Sequence, residues 1–589
     1  WSFVKRVKNN ASSAIPTLIM NDQIFTDPVD KANLLAELFA KNSFLPDSDQ
    51  PLPELESVSC TMPKIFFRAR AVKKVLSDLN VNKSPGPDGI PALVLKQCSS
   101  TLASPLAKLF TSSYRAGIFP YCWKVANVQP IPKKGAANNP ENYRPIAICS
   151  ALSKVMESMI NFHLVNYLET NSLINDRQYG FRRCRSTGDL LAFLSERWSR
   201  SIHNFGESKV VALDISKAFD RVWHSALVSK LIAFGVGNDF SRFISSFLRD
   251  RTIRVVIDGV SSNEFQLNSG VPQGSVLSPS LFLIFLNDFL SQTSNPIYSF
   301  ADDSNICHSF SFNHRPSLLE VGGKRQIMND TLNQDLITIS EWGKANRVDF
   351  NARKTQCCFL THRAVDSTMS SVSMGGIDIE ESDTLDVLGM KIQCDVRWNE
   401  HVFQVSKEAF KCLGFLKRCK NYFTPSDLLT IYTTYIRPKM EYNSHIWAGA
   451  SKSILGLLDR VQRRAMALIN DSRVSNSIDS LEHRRNVGCV TLFYRYYHGK
   501  CSSEISELIP SARVTFRSTR LSSRSHPFVV YCPVDRTTHY RENSFISRTS
   551  RMWNKLPAQV FPDTYNLIKF KSNIHKHYSL FPPSHNLFS

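Results

Sequence analysis

Two apolar, β-prone runs that lead directly into acidic side chains constrain the fold of this chain most strongly. The run Ile297–Phe300 leads through one alanine into the adjacent carboxylates of Asp302 and Asp303, and the run Lys209–Leu213 leads into Asp214. Such runs predict strands, and a tight turn after the first would present both carboxylates from a hairpin. The sequence therefore predicts neighbouring strands with three carboxylates at one place.

Three carboxylates at one place form a ligand set for hard divalent cations. Mg2+ takes oxygen ligands and keeps part of its shell for water and substrate phosphates. Two such ions about 4 Å apart activate an attacking hydroxyl and stabilise a leaving pyrophosphate. An Asp-Asp pair alone is more often a solvated turn or a helix start. Together, Asp214, Asp302 and Asp303 predict a site for two Mg2+ ions, with Mn2+ as the alternative, and nucleotide-transfer chemistry.

Two further segments fit this chemistry. Phe219 lies five residues after the first acid, where its ring could contact the sugar of a nucleotide, although an ordinary core aromatic is the alternative. A hairpin turning at Asp258-Gly259 precedes Ser269–Pro279, whose glycines and prolines fix a loop that can approach a base pair closely. The apolar run Leu281–Leu286 predicts a buried helix, and it is shorter than the ~18–20 residues of a membrane span.

Three blocks in order resemble motifs A, B and C of a reverse transcriptase. They are ALDISKAFD at 212–220, GVPQGS at 270–275 and FADD at 300–303. Further matches are KSPGPDGIP at 83–91, GIFPYCWK at 117–124, PIPKKG at 130–135, NYRPI at 142–146, QYGFR at 178–182, NARKT at 351–355, and Leu388-Gly389 with Trp398. More narrowly, the series resembles the polyprotein of a non-LTR (LINE-type, Jockey-like) retrotransposon. Many members carry Tyr where this chain has Phe300.

The resemblance implies a role for each matching residue. It implies that Asp214, Asp302 and Asp303 are the catalytic metal ligands of an RNA-directed DNA polymerase. It also implies five substrate-binding side chains. Lys133 and Arg144 would bind the triphosphate, and Phe219 would exclude a 2′-hydroxyl. Gln273 would contact the nucleotide, and Lys354 would donate a proton to the pyrophosphate. Taken singly, each of these cations is more often a solvated surface charge.

The resemblance implies an α+β, right-hand polymerase with fingers, palm and thumb, a helical N-terminal extension and a basic C-terminal region. At 589 residues, several domains are expected. The expected divisions are 1–60 for an N-terminal segment and proline-marked linker, 61–112 for the extension, 113–392 for fingers and palm, 393–470 for thumb-like helices, and 471–589 for the basic region. Helix-like runs at 71–76, 401–420, 425–446 and 452–469 support this order, with Tyr432, Tyr435 and Trp447 expected in a core.

Composition favours a polyanionic partner. The chain carries 71 Lys+Arg against 51 Asp+Glu, a net charge of +20, and the basic excess is marked after Asp471. The resemblance implies an RNA template, a DNA primer or target, dNTPs, no membrane, and location in nucleus and cytoplasm. The 14 cysteines include no Cys-x-x-Cys pair, which argues against disulfides and a cysteine zinc site. Because the chain starts at Trp1, we expect a fragment, and the resemblance implies an endonuclease upstream.

Two other functions remain open from sequence. The first is RNA-dependent RNA synthesis, against which stand Ala301, where viral RNA replicases usually have Gly, and the bulky Phe219. The second is a catalytically silent or domesticated nucleic-acid-binding protein. The three intact acids favour the polymerase over this second alternative.

Overall fold

The computed structural model describes five ranges and divides the chain into two compact units. The described ranges are 15–363, 371–475, 477–511, 526–532 and 543–580. The first unit comprises Trp1–Phe181, Asp214–Thr293 and Ile337–Asn351, and the second comprises Arg182–Leu213, Ser294–Leu336 and Ala352–Ser589. Both units mix helices with strands, which confirms the predicted α and β composition.

The first unit contains a five-stranded sheet and a separate two-stranded hairpin. The sheet strands, in spatial order, are Tyr143–Ile148, Val125–Pro132, Arg251–Ile257 and Val260–Ser261, with Phe265–Leu267 also paired to the third. The second and third strands of this order run parallel, and the other pairs are antiparallel. The separate hairpin consists of Leu18–Met20 and Gln23–Phe25.

The predicted turn at Asp258-Gly259 is confirmed. Both residues have left-handed φ angles, 52° and 86°. This combination suits a two-residue hairpin turn, whose twist matches that of the flanking strands. The chain that returns from this turn forms two short strands, Val260–Ser261 and Phe265–Leu267.

A helix at Pro28–Asn42 covers one face of this sheet. It begins with the Asp27 side chain accepting from the Val29 and Asp30 amides and with proline in its first turn, a standard helix start. Its buried residues include Leu35 and Phe39, which share a core with sheet residues such as Val128, Val255 and Ile257.

The remaining first-unit helices include two that were predicted. The helix Ala69–Ser77 contains the predicted run 71–76, and Ser278–Leu286 contains the apolar run Leu281–Leu286, all of which is buried. The other α-helices are Ala92–Gln97, Ser99–Ala116, Ala151–Thr170, His224–Ala233 and Asn238–Leu248. Short 3-10 turns are Tyr121–Trp123, Pro140–Asn142 and Asp288–Ser291. Between Phe44 and Cys60, where a linker was expected, no helix or strand is assigned.

The second unit is built on an antiparallel four-stranded sheet. Its strands, in spatial order, are Gln356–Leu360, Glu207–Leu213, Asp303–Phe310 and Ile297–Phe300. Both strands predicted beside the acidic residues are therefore confirmed. Two small hairpins follow, Ser373–Met374 with Ile377–Asp378 and Thr384–Val387 with Met390–Gln393.

Helices make up about half of the described residues of the second unit. Within the described ranges they are Thr187–His203, Asn399–Cys419, Pro425–Ile431, Arg437–Glu441, Ser444–Trp447, Lys452–Ile469, Ser472–Ser475, Leu481–Tyr497, Ser503–Leu508, Phe545–Asn554 and Leu567–Leu580, with a 3-10 turn at Ala558–Val560. The long helix Leu318–Asn346 has its residues up to Leu336 in the second unit and the rest in the first.

The middle helix-like run, predicted over 425–446, contains an irregular turn and ends at Glu441, after which Asn443 has a left-handed φ of 47° before the short helix Ser444–Trp447. A π-helical turn occupies Tyr432–Ile436, between Pro425–Ile431 and Arg437–Glu441. Pro438 has no amide hydrogen to donate back along the helix, and this loss accounts for the irregular turn. Tyr432 and Trp447 are buried, as predicted. Tyr435 is half-buried and packs edge-on against Phe415, with ring centroids 5.9 Å apart.

The last helices of the chain share an aromatic core, here called the C-terminal core. It is formed by the helices Leu481–Tyr497, Phe545–Asn554 and Leu567–Leu580. Tyr494 stacks on Phe570 with ring centroids 4.0 Å apart, and Trp553 is fully buried. Within the described ranges, no helix has both the length and the apolar character needed to cross a membrane.

Candidate active site

The hairpin formed by Ile297–Phe300 and Asp303–Phe310, here called the acid hairpin, presents the predicted carboxylates. Phe300 pairs with Asp303, so Ala301 and Asp302 form the turn. Asp302 is half-buried and Asp303 is exposed. Ala301 has a φ of 60°, a left-handed conformation that costs a non-glycine residue about 1–2 kcal/mol. Strained turns of this kind cluster at functional sites.

The acid hairpin belongs to a sheet that also positions Lys354. Leu213 pairs with Ser304 in the hairpin, and Ala212 of the same strand pairs with Gln356 on its other side, so the strand Gln356–Leu360 begins at the end of the sheet that carries the hairpin turn. Lys354 is exposed and lies two residues before Gln356. The second unit therefore brings Asp302, Asp303 and Lys354 to one sheet end.

Asp214 follows the central strand of that sheet directly in the chain and begins a segment of the first unit. Its carbonyl accepts a hydrogen bond of 2.8 Å from the Asn351 amide, and the Ser216 amide donates to the Asp349 carbonyl at 2.9 Å. Ile215 bridges to Phe350 between these two bonds. The backbone around Asp214 is thus fixed by a short antiparallel contact.

Phe219 is held by aromatic packing on its own unit. Its ring stacks on Phe282 with centroids 4.1 Å apart and planes 17° apart, and Phe181 contacts it edge-on at 6.1 Å. The Phe219 carbonyl accepts a 2.8 Å bond from the Val271 amide. The residue is half-buried and its ring packs on the buried Phe282, so the gate role and the alternative of an ordinary core aromatic both stay predictions.

The segment Ser269–Pro279, here called the PQG loop, requires its glycines. A Cβ at Gly270, whose φ is 84°, would lie 2.5 Å from the Asp220 carbonyl oxygen. A Cβ at Gly274, whose φ is 140°, would lie 2.1 Å from the Ala147 carbonyl oxygen. A residue with a Cβ would be strained at these φ angles and would clash with these carbonyl oxygens. The two glycines therefore let the loop pack directly against the backbone of Asp220 and of Ala147.

Gln273 joins the PQG loop to the segment after Asp214. Its Nε2 donates a 2.7 Å hydrogen bond to Asp220 Oδ1, and its carbonyl accepts from the Ala147 amide at 2.7 Å. Burial raises the pKa of the Asp220 carboxyl, while the Gln273 hydrogen bond and the charges of Lys133 and Lys217 act in the opposite direction. Asp220 had no role assigned from sequence.

The two predicted phosphate-binding cations lie on one hairpin of the first unit. Lys133 follows the strand Val125–Pro132, and its amide donates to the Asn142 carbonyl at 2.6 Å. Arg144 lies on the partner strand, opposite Ile131. Both side chains are exposed. The first unit therefore brings Lys133 within electrostatic range of Asp220 and places Arg144 on the adjoining strand.

Glu157 is a buried acid that sequence reasoning missed. It lies in the helix Ala151–Thr170 and accepts hydrogen bonds from the Ser275 and Ser153 hydroxyls. The Val276 amide also donates to it at 2.8 Å. The signal in the sequence is an acid among apolar neighbours on the buried face of a helix. Glu157 therefore holds the PQG loop against the helix Ala151–Thr170.

His224 holds the other end of the same loop. Its Nε2 lies 2.7 Å from the Gly270 carbonyl oxygen and donates to it. Burial lowers the pKa of His224 to about 4, helped by the charges of Arg251 and Arg249 and opposed by the hydrogen bond to Gly270. The imidazole is therefore neutral at pH 7 and serves as a fixed donor.

Most of this chain is similar to known proteins. The family described as reverse transcriptase (RNA-dependent DNA polymerase) matches residues 131–414, a range that contains all eight predicted site residues. A probable RNA-directed DNA polymerase from transposon BS of Drosophila melanogaster is 24% identical over 493 residues, covering 80% of this chain and 53% of the relative.

Two further relatives from Drosophila melanogaster are similarly close. The RNA-directed DNA polymerase from mobile element jockey is 25% identical over 472 residues, which is 79% of this chain and 50% of the relative. The probable polymerase from transposon X-element is 25% identical over 488 residues, 80% and 52% of the two chains. The chain spans about half the length of these relatives. Residues 131–414 thus match the reverse transcriptase family, and the chain is similar to the polymerases of non-LTR retrotransposons.

Proposed function

We propose that this chain is the RNA-directed DNA polymerase of a non-LTR retrotransposon, which copies element RNA into DNA from a nicked target. The observation that carries the proposal is the pair of carboxylates at the turn of the acid hairpin, beside a strand that leads directly into Asp214. We further propose a right-hand arrangement, with fingers and palm over 113–392 and thumb-like helices over 393–470. In this arrangement, the polymerase is preceded by an N-terminal segment and linker (1–60) and a helical extension (61–112). It is followed by the basic C-terminal region (471–589).

The three carboxylates are proposed to bind two Mg2+ ions, which Mn2+ could replace. Asp214, Asp302 and Asp303 offer hard carboxylate oxygens from rigid strand ends, the ligand type that Mg2+ takes. When bound, a pair of such ions activates a primer 3′ hydroxyl and stabilises the leaving pyrophosphate. The strand pairing on both sides of the hairpin turn limits movement of the two carboxylates, and the Asn351 amide fixes the backbone at Asp214.

The remaining site residues are proposed to bind the incoming dNTP. Arg144 would bind the triphosphate with its planar fork and Lys133 as a point charge. Phe219, fixed by stacking on Phe282, would exclude a 2′-hydroxyl. Gln273, tied to Asp220, would contact the nucleotide, and Lys354 would protonate the pyrophosphate.

An RNA template and a DNA primer are proposed as the macromolecular partners. The net charge of +20 favours binding through phosphates, and such binding weakens steeply as salt rises because counterions are released. Action on chromosomal DNA would place the protein in the nucleus, after synthesis in the cytoplasm.

Primer extension tests the proposal. The chain is given an RNA template with an annealed DNA primer, dNTPs and Mg2+, and the product length is measured with and without the metal. We expect extension that requires Mg2+ and strongly prefers dNTPs to ribonucleotides. RNA binding without any extension, by a chain whose folding is verified by circular dichroism, would favour the silent nucleic-acid-binding alternative.

A further inference from the structure

Two histidines and an aspartate from separate parts of the sequence meet at the edge of the C-terminal core. Asp479 precedes the helix Leu481–Tyr497, and His483 lies in its first turn. His575 lies in the helix Leu567–Leu580, 92 positions after His483. One ligand atom from each residue lies within 4.8 Å of the others. We call these three residues the histidine cluster.

The three side chains of the histidine cluster lie close enough to share one ion. His483 Nε2 lies 3.3 Å from His575 Nδ1. The Asp479 carboxylate lies 3.2 Å from His575 Nε2 and 3.9 Å from His483 Nε2. In a tetrahedral zinc site with bonds of about 2.0–2.1 Å, neighbouring ligand atoms are separated by about 3.3 Å. His575 gives an ion only one of its two nitrogens, so rotation of the side chains has to shorten the longest of the one-atom separations, all of which are within 4.8 Å.

Each member of the histidine cluster is held by a neighbouring polar group. The His483 amide donates to Ser480 Oγ at 3.1 Å, which fixes the start of the helix. The Asp479 carbonyl accepts from Gln462 Nε2 at 3.1 Å. Ser579 Oγ lies 3.3 Å from His575 Nδ1. The first two bonds fix the backbone that carries His483 and Asp479, and the Ser579 hydroxyl contacts a ring nitrogen of His575, the kind of partner that orients a metal ligand.

We propose that Asp479, His483 and His575 bind a zinc ion that ties the helix Leu567–Leu580 to the start of the helix Leu481–Tyr497. Imidazole nitrogen and carboxylate oxygen are both common zinc ligands, and three protein ligands leave the fourth position for water. The side chains of Asp479, His483 and His575 are 32%, 13% and 49% exposed, which leaves a route for the ion. This site stabilises the C-terminal core and takes no part in nucleotide transfer.

Metal titration of the full chain tests the proposal. The 14 cysteines are competing ligands, so Co2+ serves as the spectroscopic probe, because cysteine binding adds an intense sulfur-to-cobalt charge-transfer band that nitrogen and oxygen ligands lack. With Mg2+ present throughout, we expect the wild type to bind one more Co2+ or Zn2+ per chain than the double variant His483→Ala, His575→Ala. Zn2+ should raise the thermal midpoint of the wild type more than that of the double variant.

His577→Ala is the matched control, since this histidine lies on the same helix outside the cluster. It should retain wild-type stoichiometry. If the double variant fails to fold, Asp479→Asn replaces it and should weaken zinc affinity on the order of tenfold or more. Equal stoichiometry in the wild type and the double variant, or unchanged affinity in Asp479→Asn, would overturn the proposal. Binding that shows only the charge-transfer band would also overturn it.

Discussion

Removing the carboxylate of Glu157 should release the PQG loop without touching any residue proposed to contact substrate. Glu157 accepts two strong hydrogen bonds from the loop, one from the Ser275 hydroxyl and one from the Val276 amide, and a longer one of 3.5 Å from the Leu277 amide. It also accepts from the Ser153 hydroxyl on its own helix. In Glu157→Ala, these loop donors lose their charged acceptor inside a buried environment.

The size of the effect follows from these bonds. A hydrogen bond to a charged group contributes about 1.5–3 kcal/mol, so two of them contribute about 3–6 kcal/mol. Taking about 4 kcal/mol, and about 1.4 kcal/mol for each tenfold change in an equilibrium constant, the loop should open about a thousandfold more often. Glu157→Gln keeps the shape and one good acceptor, and it should cost about half as much free energy.

Hydrogen–deuterium exchange measures this opening directly. Peptides covering Ser269–Pro279 contain the Val276 amide, which donates to Glu157 at 2.8 Å. We expect exchange in these peptides to accelerate strongly in Glu157→Ala, less in Glu157→Gln, and not in Glu169→Ala. Glu169 is a carboxylate on the same helix, which makes it the matched control. Acceleration of less than about tenfold in Glu157→Ala would refute the anchoring role.

Three further outcomes are expected. Phe219→Ala should raise ribonucleotide incorporation relative to dNTP incorporation on the order of 10- to 100-fold, and unchanged sugar preference in primer extension would exclude the gate role. Gly274→Ala, whose Cβ would lie 2.1 Å from the Ala147 carbonyl oxygen, should lower the thermal midpoint and extension, whereas Gly237→Ala, with open space around its Cβ, should change neither. Because the pKa of His224 is lowered to about 4, neutral His224 stabilises the folded loop above pH 6.5, and this stabilisation is lost as pH falls toward 4. Hydrogen–deuterium exchange in Ser269–Pro279 should therefore accelerate at low pH by more than the intrinsic pH dependence of exchange. His224→Asn should remove this additional acceleration.

Local patterns were sufficient to predict the elements that carry the acids. The strands Ile297–Phe300 and Glu207–Leu213 follow from runs of apolar and β-branched residues, and the turn at Asp258-Gly259 follows from residues that adopt left-handed φ. The buried helix Ser278–Leu286 follows from its continuous apolar run. In each case, the deciding interactions lie within a few residues of one another.

The contacts that hold the site could not be predicted in this way. Gln273 and Asp220 are 53 positions apart, and Val276 and Glu157 are 119 apart, so only the tertiary fold brings them together. The parallel pairing of Val125–Pro132 with Arg251–Ile257 is likewise non-local. Motif position indicated that Gln273 matters, but its hydrogen bond to Asp220 depends on a loop conformation that its glycines permit.

The central claim is that Asp214, Asp302 and Asp303 supply the metal ligands for nucleotide transfer. Its most direct test is single-turnover primer extension on an RNA template, measured for the wild type, Asp303→Asn, Asp302→Asn and Asp214→Asn. Asp258→Asn, at the turn of another hairpin, is the control. We predict a rate loss of at least about a thousandfold for each of the three acids at saturating Mg2+, and near wild-type rate for Asp258→Asn. Extension by Asp302→Asn or Asp303→Asn at the wild-type rate would contradict the account.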